Sequence, residues 1–135
     1  MIKGIEHIGI AVENLKEAQR YYEDVLGLEC YRTEVVEEQK VTTAFYRVGD
    51  TKIELLESTS EDGPIAKFIA KRGPGIHHLA FAVDGIEESL ETVAGKDIQL
   101  IDQKPRKGAE GLDIAFLHPK STFGVLTEFC EKKNA

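Results

Sequence analysis

Cysteine is scarce in this sequence, and long apolar runs are absent. The two cysteines, Cys30 and Cys130, stand in strand-like segments without the spacing of a metal site, so we expect buried free thiols. No apolar run approaches the length of a transmembrane helix. The first twelve residues include Glu6 and His7 and lack the apolar region of a signal peptide. These absences predict a cytoplasmic protein without a membrane partner.

An excess of positive charge is also missing. The chain has 17 basic and 24 acidic residues, a net charge of −7. Nucleic acid is therefore disfavoured as a partner, because phosphate contacts need a basic face. An anionic small ligand would need local lysine or arginine to overcome the acidic background. With 135 residues, 41% of them hydrophobic, the chain fits one domain, residues 1–135, with a core of its own.

Two segments that echo each other, residues 4–12 and 75–83, are the most informative part of the sequence. Side chains in a strand alternate between two faces, so each segment places one histidine on a face that otherwise carries only small residues. Because a buried strand normally fills both faces with bulk, this pattern predicts a sheet with a hollow face. The two sets are His7, Gly9 and Ala11, and His78, Ala80 and Ala82.

The echo extends to an internal duplication of a βαβββ module. Module one covers residues 1–57, a linker helix lies within 58–74, and module two covers 75–135. The class is α+β, with two modules related by a pseudo-twofold axis and a cupped mixed sheet around a cleft. We predict helix starts at Asn14, Pro64 and Asp84 and a loop over 104–111. The predicted strands are 1–12, 28–36, 41–48, 51–56, 78–83, 98–101, 112–117 and 123–130.

A glutamate in the fourth strand of each module completes the pattern. Glu54 and Glu128 lie in apolar strands, where a carboxylate is costly unless it is paired or bound to a metal. If the modules pack by a pseudo-twofold axis, these carboxylates meet His7 and His78 in one cleft. Nitrogen and oxygen ligands without thiolate suit Co, Mn, Ni, Fe or Zn ions and do not choose among them. The alternative is that both carboxylates face solvent.

With these residues in place, the chain resembles the vicinal oxygen chelate superfamily and, within it, the methylmalonyl-CoA epimerase family. The more specific segments are the linker helix at 63–68, the pair His77-His78 and the turn His118-Pro119-Lys120. The resemblance implies a glyoxalase-like fold and metal-dependent interconversion of (R)- and (S)-methylmalonyl-CoA. It also implies that His7, His78, Glu128 and Glu54 are the metal ligands.

One position departs from the family pattern. Some members carry a further glutamate, proposed as a base, in the third strand, where this chain has Thr43. Inversion at carbon requires a proton to leave one face and return to the other, so we expect Glu54 and Glu128 to act as the two catalytic bases. The alternatives are glyoxalase I (lactoylglutathione lyase) and a metal-free ligand-binding protein of the same superfamily.

Partners follow from local charge and from the resemblance. An acyl-CoA substrate needs cations for its phosphates, and the basic residues of module two are the candidates. His77 points away from the hollow face, and His118 is predicted to shape a turn. We also expect a homodimer. The candidate CoA-binding residues are Lys104, Arg106, Lys107 and Lys120.

Overall fold

The computed structural model describes residues 1–132, and its contacts divide the chain into two compact units. We call His7–His77 the His7 unit. We call Met1–Glu6 together with the chain from His78 onward the His78 unit. The first and fifth strands each contribute residues to both units.

Residues 1–132 contain eight strands and three α-helices, in the order expected for two βαβββ modules with a helix between them. The α+β class is confirmed. The helices are α1 (Leu15–Arg20, continued by a π-helical turn at Tyr21–Val25), α2 (Pro64–Arg72) and α3 (Ile86–Ala94). The strands are β1 (Ile2–Ala11), β2 (Cys30–Val36), β3 (Val41–Val48), β4 (Thr51–Ser58), β5 (Gly75–Val83), β6 (Arg106–Lys107), β7 (Asp113–Leu117) and β8 (Thr127–Glu131).

In the His7 unit the strand order is β2-β3-β4-β1, with β1 parallel to β4 and the other pairs antiparallel. Helix α1 covers one face, where Leu15 packs with Ala44 and Leu55. Helix α2 packs on the other face through Ile65, against Leu56 and its neighbours. The part of this second face that lies before Leu56 on β4 carries the candidate site residues.

In the His78 unit the order is β1-β5-β8-β7-β6, with β5 parallel to β8. Helix α3 covers one face, where Leu90 packs with Val83 and Phe129. The other face carries a smaller apolar cluster that includes Ala80 and Cys130. In both units, therefore, strands one and four of a module lie side by side and run in the same direction.

Helix capping is confirmed in one module and corrected in the other. The Asn14 side chain accepts a hydrogen bond from the Glu17 amide at 3.0 Å, as predicted for the start of α1. The prediction of Asp84 as the cap of α3 is wrong, because the N-cap is Gly85, with φ of 67°. A left-handed backbone at that position favours glycine.

The amides at the start of α3 are satisfied instead by a carboxylate from β8. Glu131 accepts hydrogen bonds from Gly85 N at 2.8 Å and from Ile86 N at 3.0 Å. In the His7 unit, Glu57 of β4 accepts one from the Leu15 amide of α1. Each capping glutamate stands three residues after the candidate site glutamate of its strand. An odd offset in a strand reverses the face, so caps and site residues point in opposite directions.

Two strand predictions in module two are wrong. Residues 98–101 form only an isolated bridge from Leu100 to Leu117, because Ile98 and Leu100 pack against the core under α3. The short strand of this module is β6, inside the predicted loop. The last strand begins at Thr127 rather than at residue 123, because the chain still turns at Phe123 and Gly124, with φ of 59° and 84°.

Both cysteines are free thiols, as predicted, although Cys130 is buried and Cys30 only half-buried. Among residues 1–132, no helix is long and apolar enough to cross a membrane.

Candidate functional site

The His7 unit contains a buried imidazole–carboxylate pair. His7 Nδ1 lies 3.2 Å from Glu54 Oε2, and each residue is 4% exposed. Gly9 is the register partner of Glu54 across the parallel pair β1–β4, and His7 stands two residues before Gly9. The contact therefore runs diagonally across the two strands, past the position of Gly9.

The His78 unit repeats this arrangement in the same register. Ala80 is the register partner of Glu128 across β5–β8, and His78 stands two residues before Ala80. His78 Nε2 lies 3.1 Å from Glu128 Oε1, with exposures of 6% and 3%. The sequence predicts that each module contributes one histidine and one glutamate, and in each unit these two residues lie in contact.

Further contacts fix the orientation of the second pair. The Cys130 thiol donates a hydrogen bond to Glu128 Oε2 at 3.1 Å. The His78 ring packs edge-on against Phe116, with ring centroids 5.7 Å apart. Cys130, predicted only as a buried thiol, thus contacts a candidate site residue. The spacing would have suggested it, because residues two apart in a strand share a face.

The donor set of each pair suits a divalent transition metal. An imidazole nitrogen and a carboxylate oxygen are both ligands of such ions. A buried carboxylate needs a compensating charge, which an ion of charge +2 would provide. His7 with Glu54, and His78 with Glu128, are the residues that could hold it.

A buried lysine that the sequence pattern did not indicate lies on the site face of the His7 unit. Lys52 is 6% exposed and is the register partner of His7 on β1 and of Arg47 on β3. It stands two residues before Glu54 and therefore shares its face. Thr43, which occupies the position of the family's proposed base, is buried on the same face.

The four predicted CoA-binding residues lie in different parts of the His78 unit. Arg106 and Lys107 form β6, and the other two lie outside the strands and helices. The Arg106 guanidinium lies 5.6 Å from the Phe116 ring and 3.1 Å from Asp102. Phe116 is the register partner of Glu128, so Arg106 lies on the site face. Lys107 follows it on the opposite face, where its ammonium lies 2.8 Å from Asp113.

The other two lysines lie elsewhere. Lys104 lines a cavity of about 350 Å³ beside Leu90 and Leu100, next to α3. Lys120 belongs to the turn that follows β7, where its amide donates to His118 Nδ1 at 3.1 Å. This contact confirms His118 as a turn residue.

His77 packs against α2, as its position on the strand predicts. Its ring lies edge-on to Phe68, with centroids 4.9 Å apart.

The class of protein to which the chain belongs is shown by its match to a known family. Residues 6–116 match the model of the glyoxalase/bleomycin resistance protein/dioxygenase superfamily. The chain belongs to this superfamily.

Individual relatives show which members of the superfamily this chain is similar to. An uncharacterized Bacillus subtilis protein, YqjC, is 47% identical over 129 residues, covering 96% of this chain and 92% of the relative. The mitochondrial methylmalonyl-CoA epimerase of Dictyostelium discoideum is 39% identical over 129 residues, covering 95% of this chain and 78% of that enzyme. A solved methylmalonyl-CoA epimerase in complex with methylmalonyl-CoA and NH4+ is 36% identical, with a TM-score of 0.94 over 98% of this chain and 96% of that one. The resemblance to methylmalonyl-CoA epimerases and the glyoxalase-like fold are thus confirmed.

Proposed function

We propose that this protein is a metal-dependent epimerase that interconverts (R)- and (S)-methylmalonyl-CoA. The observation that carries the proposal is the pair of buried His–Glu contacts in matching registers, one in each unit. The similarity to methylmalonyl-CoA epimerases over nearly the whole chain supports the choice of substrate.

We further propose that His7, Glu54, His78 and Glu128 together hold one ion. The sequence duplication and the chemistry of the two donor pairs support this assignment. A bound divalent ion would act as a Lewis acid toward substrate oxygens and so make the neighbouring carbon more acidic. Co, Mn, Ni, Fe and Zn ions all suit this donor set.

In the proposed reaction, the two glutamates move the proton. The carboxylate of one glutamate takes the proton from C2, the carbon between the thioester and the carboxylate of the substrate. The other glutamate, protonated, returns a proton to the opposite face, which inverts the carbon. Each transfer by a positioned acid or base accelerates a reaction by roughly 10²- to 10⁴-fold. Thr43 has no group that ionises near neutral pH and could act as a base, so the bases must be sought at Glu54 and Glu128.

The test is solvent-deuterium exchange with each pure epimer. Glu54→Gln and Glu128→Gln preserve a side-chain oxygen that can bind metal, but an amide is not a base. Each variant should retain metal, lose epimerisation and still exchange the C2 proton of one epimer. Thr43→Ala is the matched control and should epimerise normally. If Glu54→Gln epimerises both forms at the normal rate, Glu54 is a ligand only.

The same preparation separates the two alternatives. Turnover of the glutathione hemithioacetal of methylglyoxal, but not of methylmalonyl-CoA, would assign glyoxalase I activity instead. Ligand binding without turnover and without any effect of a chelator would assign a binding protein.

We also propose that the CoA phosphates bind to Arg106, Lys104, Lys107 and Lys120. Arg106 is the best supported, because it lies on the face that carries His78 and Glu128. Arg106→Gln should raise KM several-fold and weaken its dependence on salt. Lys96→Gln, an equal change of charge at an exposed position outside this set, is the comparison. An unchanged KM in Arg106→Gln would place the CoA tail elsewhere.

A homodimer in the cytoplasm remains part of the proposal. Light scattering of the purified chain would measure its oligomeric state directly.

A further inference from the structure

A buried cation stands next to the candidate base of the His7 unit. Lys52 is 6% exposed, lies directly across from His7 and precedes Glu54 by two residues on the same strand. Burying an ammonium group costs free energy, and nearby negative charge or hydrogen-bond acceptors must offset this cost. Lys52 has interaction partners within the protein. Its placement beside the reacting groups is what requires a reason.

A second cation faces Lys52 from the adjacent strand. Arg47 of β3 is the register partner of Lys52 in the antiparallel pair. Like charges directly opposite one another destabilise a sheet. A ligand carboxylate bound near both cations would be attracted by both. It would also reduce the repulsion between them.

A bulge in β2 places the aromatic ring of Tyr31 next to Arg47. The register of β2 shifts between Cys30 and Arg32, so Tyr31 lies in a bulge. Bulges redirect side chains and are common next to active sites. The Arg47 guanidinium lies 5.1 Å from the Tyr31 ring centroid, which helps to hold it in position.

The polarity of the site face of the His7 unit changes along its strands. Toward the ends of β1 and β4 the face is closed by α2, with Ala11 and Leu56 packed on Ile65. In the opposite direction come Glu54, then Lys52 and Arg47. A ligand on this face would meet the carboxylate and then the two cations.

We propose that Lys52, supported by Arg47, binds the free carboxylate of the acyl group and thereby makes the site specific for malonyl-type thioesters. This inference rests on the proposed function, because the carboxylate is the one that methylmalonyl-CoA carries on C2. Lys52 acts here as a fixed positive charge, and no change in its protonation is required. Binding the carboxylate at Lys52 would hold C2 within reach of Glu54.

The experiment compares two ligands that differ only in that carboxylate. Calorimetry would give the Kd of the full chain for methylmalonyl-CoA and for propionyl-CoA, at equal metal content. A charge-assisted hydrogen bond contributes enough that Lys52→Met should weaken methylmalonyl-CoA binding roughly 10- to 100-fold while leaving propionyl-CoA unchanged. Lys52→Arg should restore part of the preference. Lys16→Met, an equal change of charge on α1, should have no effect.

Each other outcome rejects the inference. An unchanged preference in Lys52→Met means that the carboxylate binds elsewhere. An equal loss for both ligands, and for CoA alone, means that Lys52 contacts a phosphate.

Epimerase assays on the same preparations separate this inference from the proposed function. Normal epimerisation by the unsubstituted chain, with the ligand preference intact in Lys52→Met, would reject the inference alone. A chain that does not epimerise, but whose preference for the carboxylate depends on Lys52, would reject the proposed function alone. A chain that binds neither thioester would reject both.

Discussion

The capping glutamates allow stability and chemistry to be separated within a single strand. Glu131 binds the first amides of α3, whereas Glu128, three residues earlier, faces the other way and pairs with His78. Replacing Glu131 by alanine should therefore lower stability without removing a site residue. Replacing Glu128 by glutamine should do the opposite.

The loss of stability should depend on how many helix amides donate a hydrogen bond to each glutamate. Removing a helix cap costs about 1 kcal/mol for each amide that loses its acceptor, because water replaces part of the bond. Glu131→Ala exposes two amides and should cost about 2 kcal/mol, which corresponds to a fall in Tm of roughly 6 °C for a chain of this size. Glu57→Ala exposes the single Leu15 amide and should cost about half as much. Glu128→Gln keeps an oxygen for the Cys130 thiol and should change Tm less than either alanine variant.

Thermal melts of the full chain, together with metal analysis and proton exchange on each variant, provide the test. The expected order of destabilisation is Glu131→Ala, then Glu57→Ala, then Glu128→Gln. Exchange should be lost from one epimer in Glu128→Gln and retained in both alanine variants. A Glu57→Ala variant less stable than Glu131→Ala would refute the count of amides. Loss of metal from Glu131→Ala would refute the separation of the two faces.

Two further predictions concern the proposed metal ligands and Tyr46. The double variant His7→Ala, His78→Ala should fold but fail to retain a divalent metal in elemental analysis, and full occupancy would contradict the proposed ligand set. Tyr46, whose hydroxyl donates to Glu23 at 2.7 Å, has a pKa raised above its ordinary value of 10.0, first by burial and then by this hydrogen bond. The folded state thus keeps a proton that the unfolded state loses, so stability should fall as pH rises above about 10, and chemical denaturation should detect a smaller fall in Tyr46→Phe.

Much of the architecture could be predicted from the sequence because the relevant signals are local. Alternation of small and large residues identifies β1 and β5, and Asn14 followed by Glu17 marks a helix start. Asp84 failed as a cap because a carboxylate from a distant strand, Glu131, occupies the amides at the start of α3. Residues 98–101 have the composition of a strand, yet their apolar side chains are used for packing under α3.

The sequence identifies the candidate site residues by their types, but it does not identify the residues that surround them. His7, Glu54, His78 and Glu128 stand out because the duplication repeats them. Lys52 does not stand out, because a lysine in a strand usually faces solvent. Only the register of β4 against β1 and β3 shows that it is buried beside His7.

The duplication is exact in register but not in chemistry. His7 presents Nδ1 to its glutamate, whereas His78 presents Nε2. The residue two positions after Glu128 is Cys130, which donates to the carboxylate, whereas the residue two positions after Glu54 is Leu56, which has no polar hydrogen to donate. A thiol therefore contacts the Glu128 carboxylate from the position that holds Leu56 in the other module. An epimerase acts on two different substrate forms, and two bases in different surroundings suit that task.

Cys130→Ala should therefore change deuterium exchange from the epimer on which Glu128 acts and leave exchange from the other epimer unchanged. An equal effect on both epimers would contradict the assignment of one glutamate to each form.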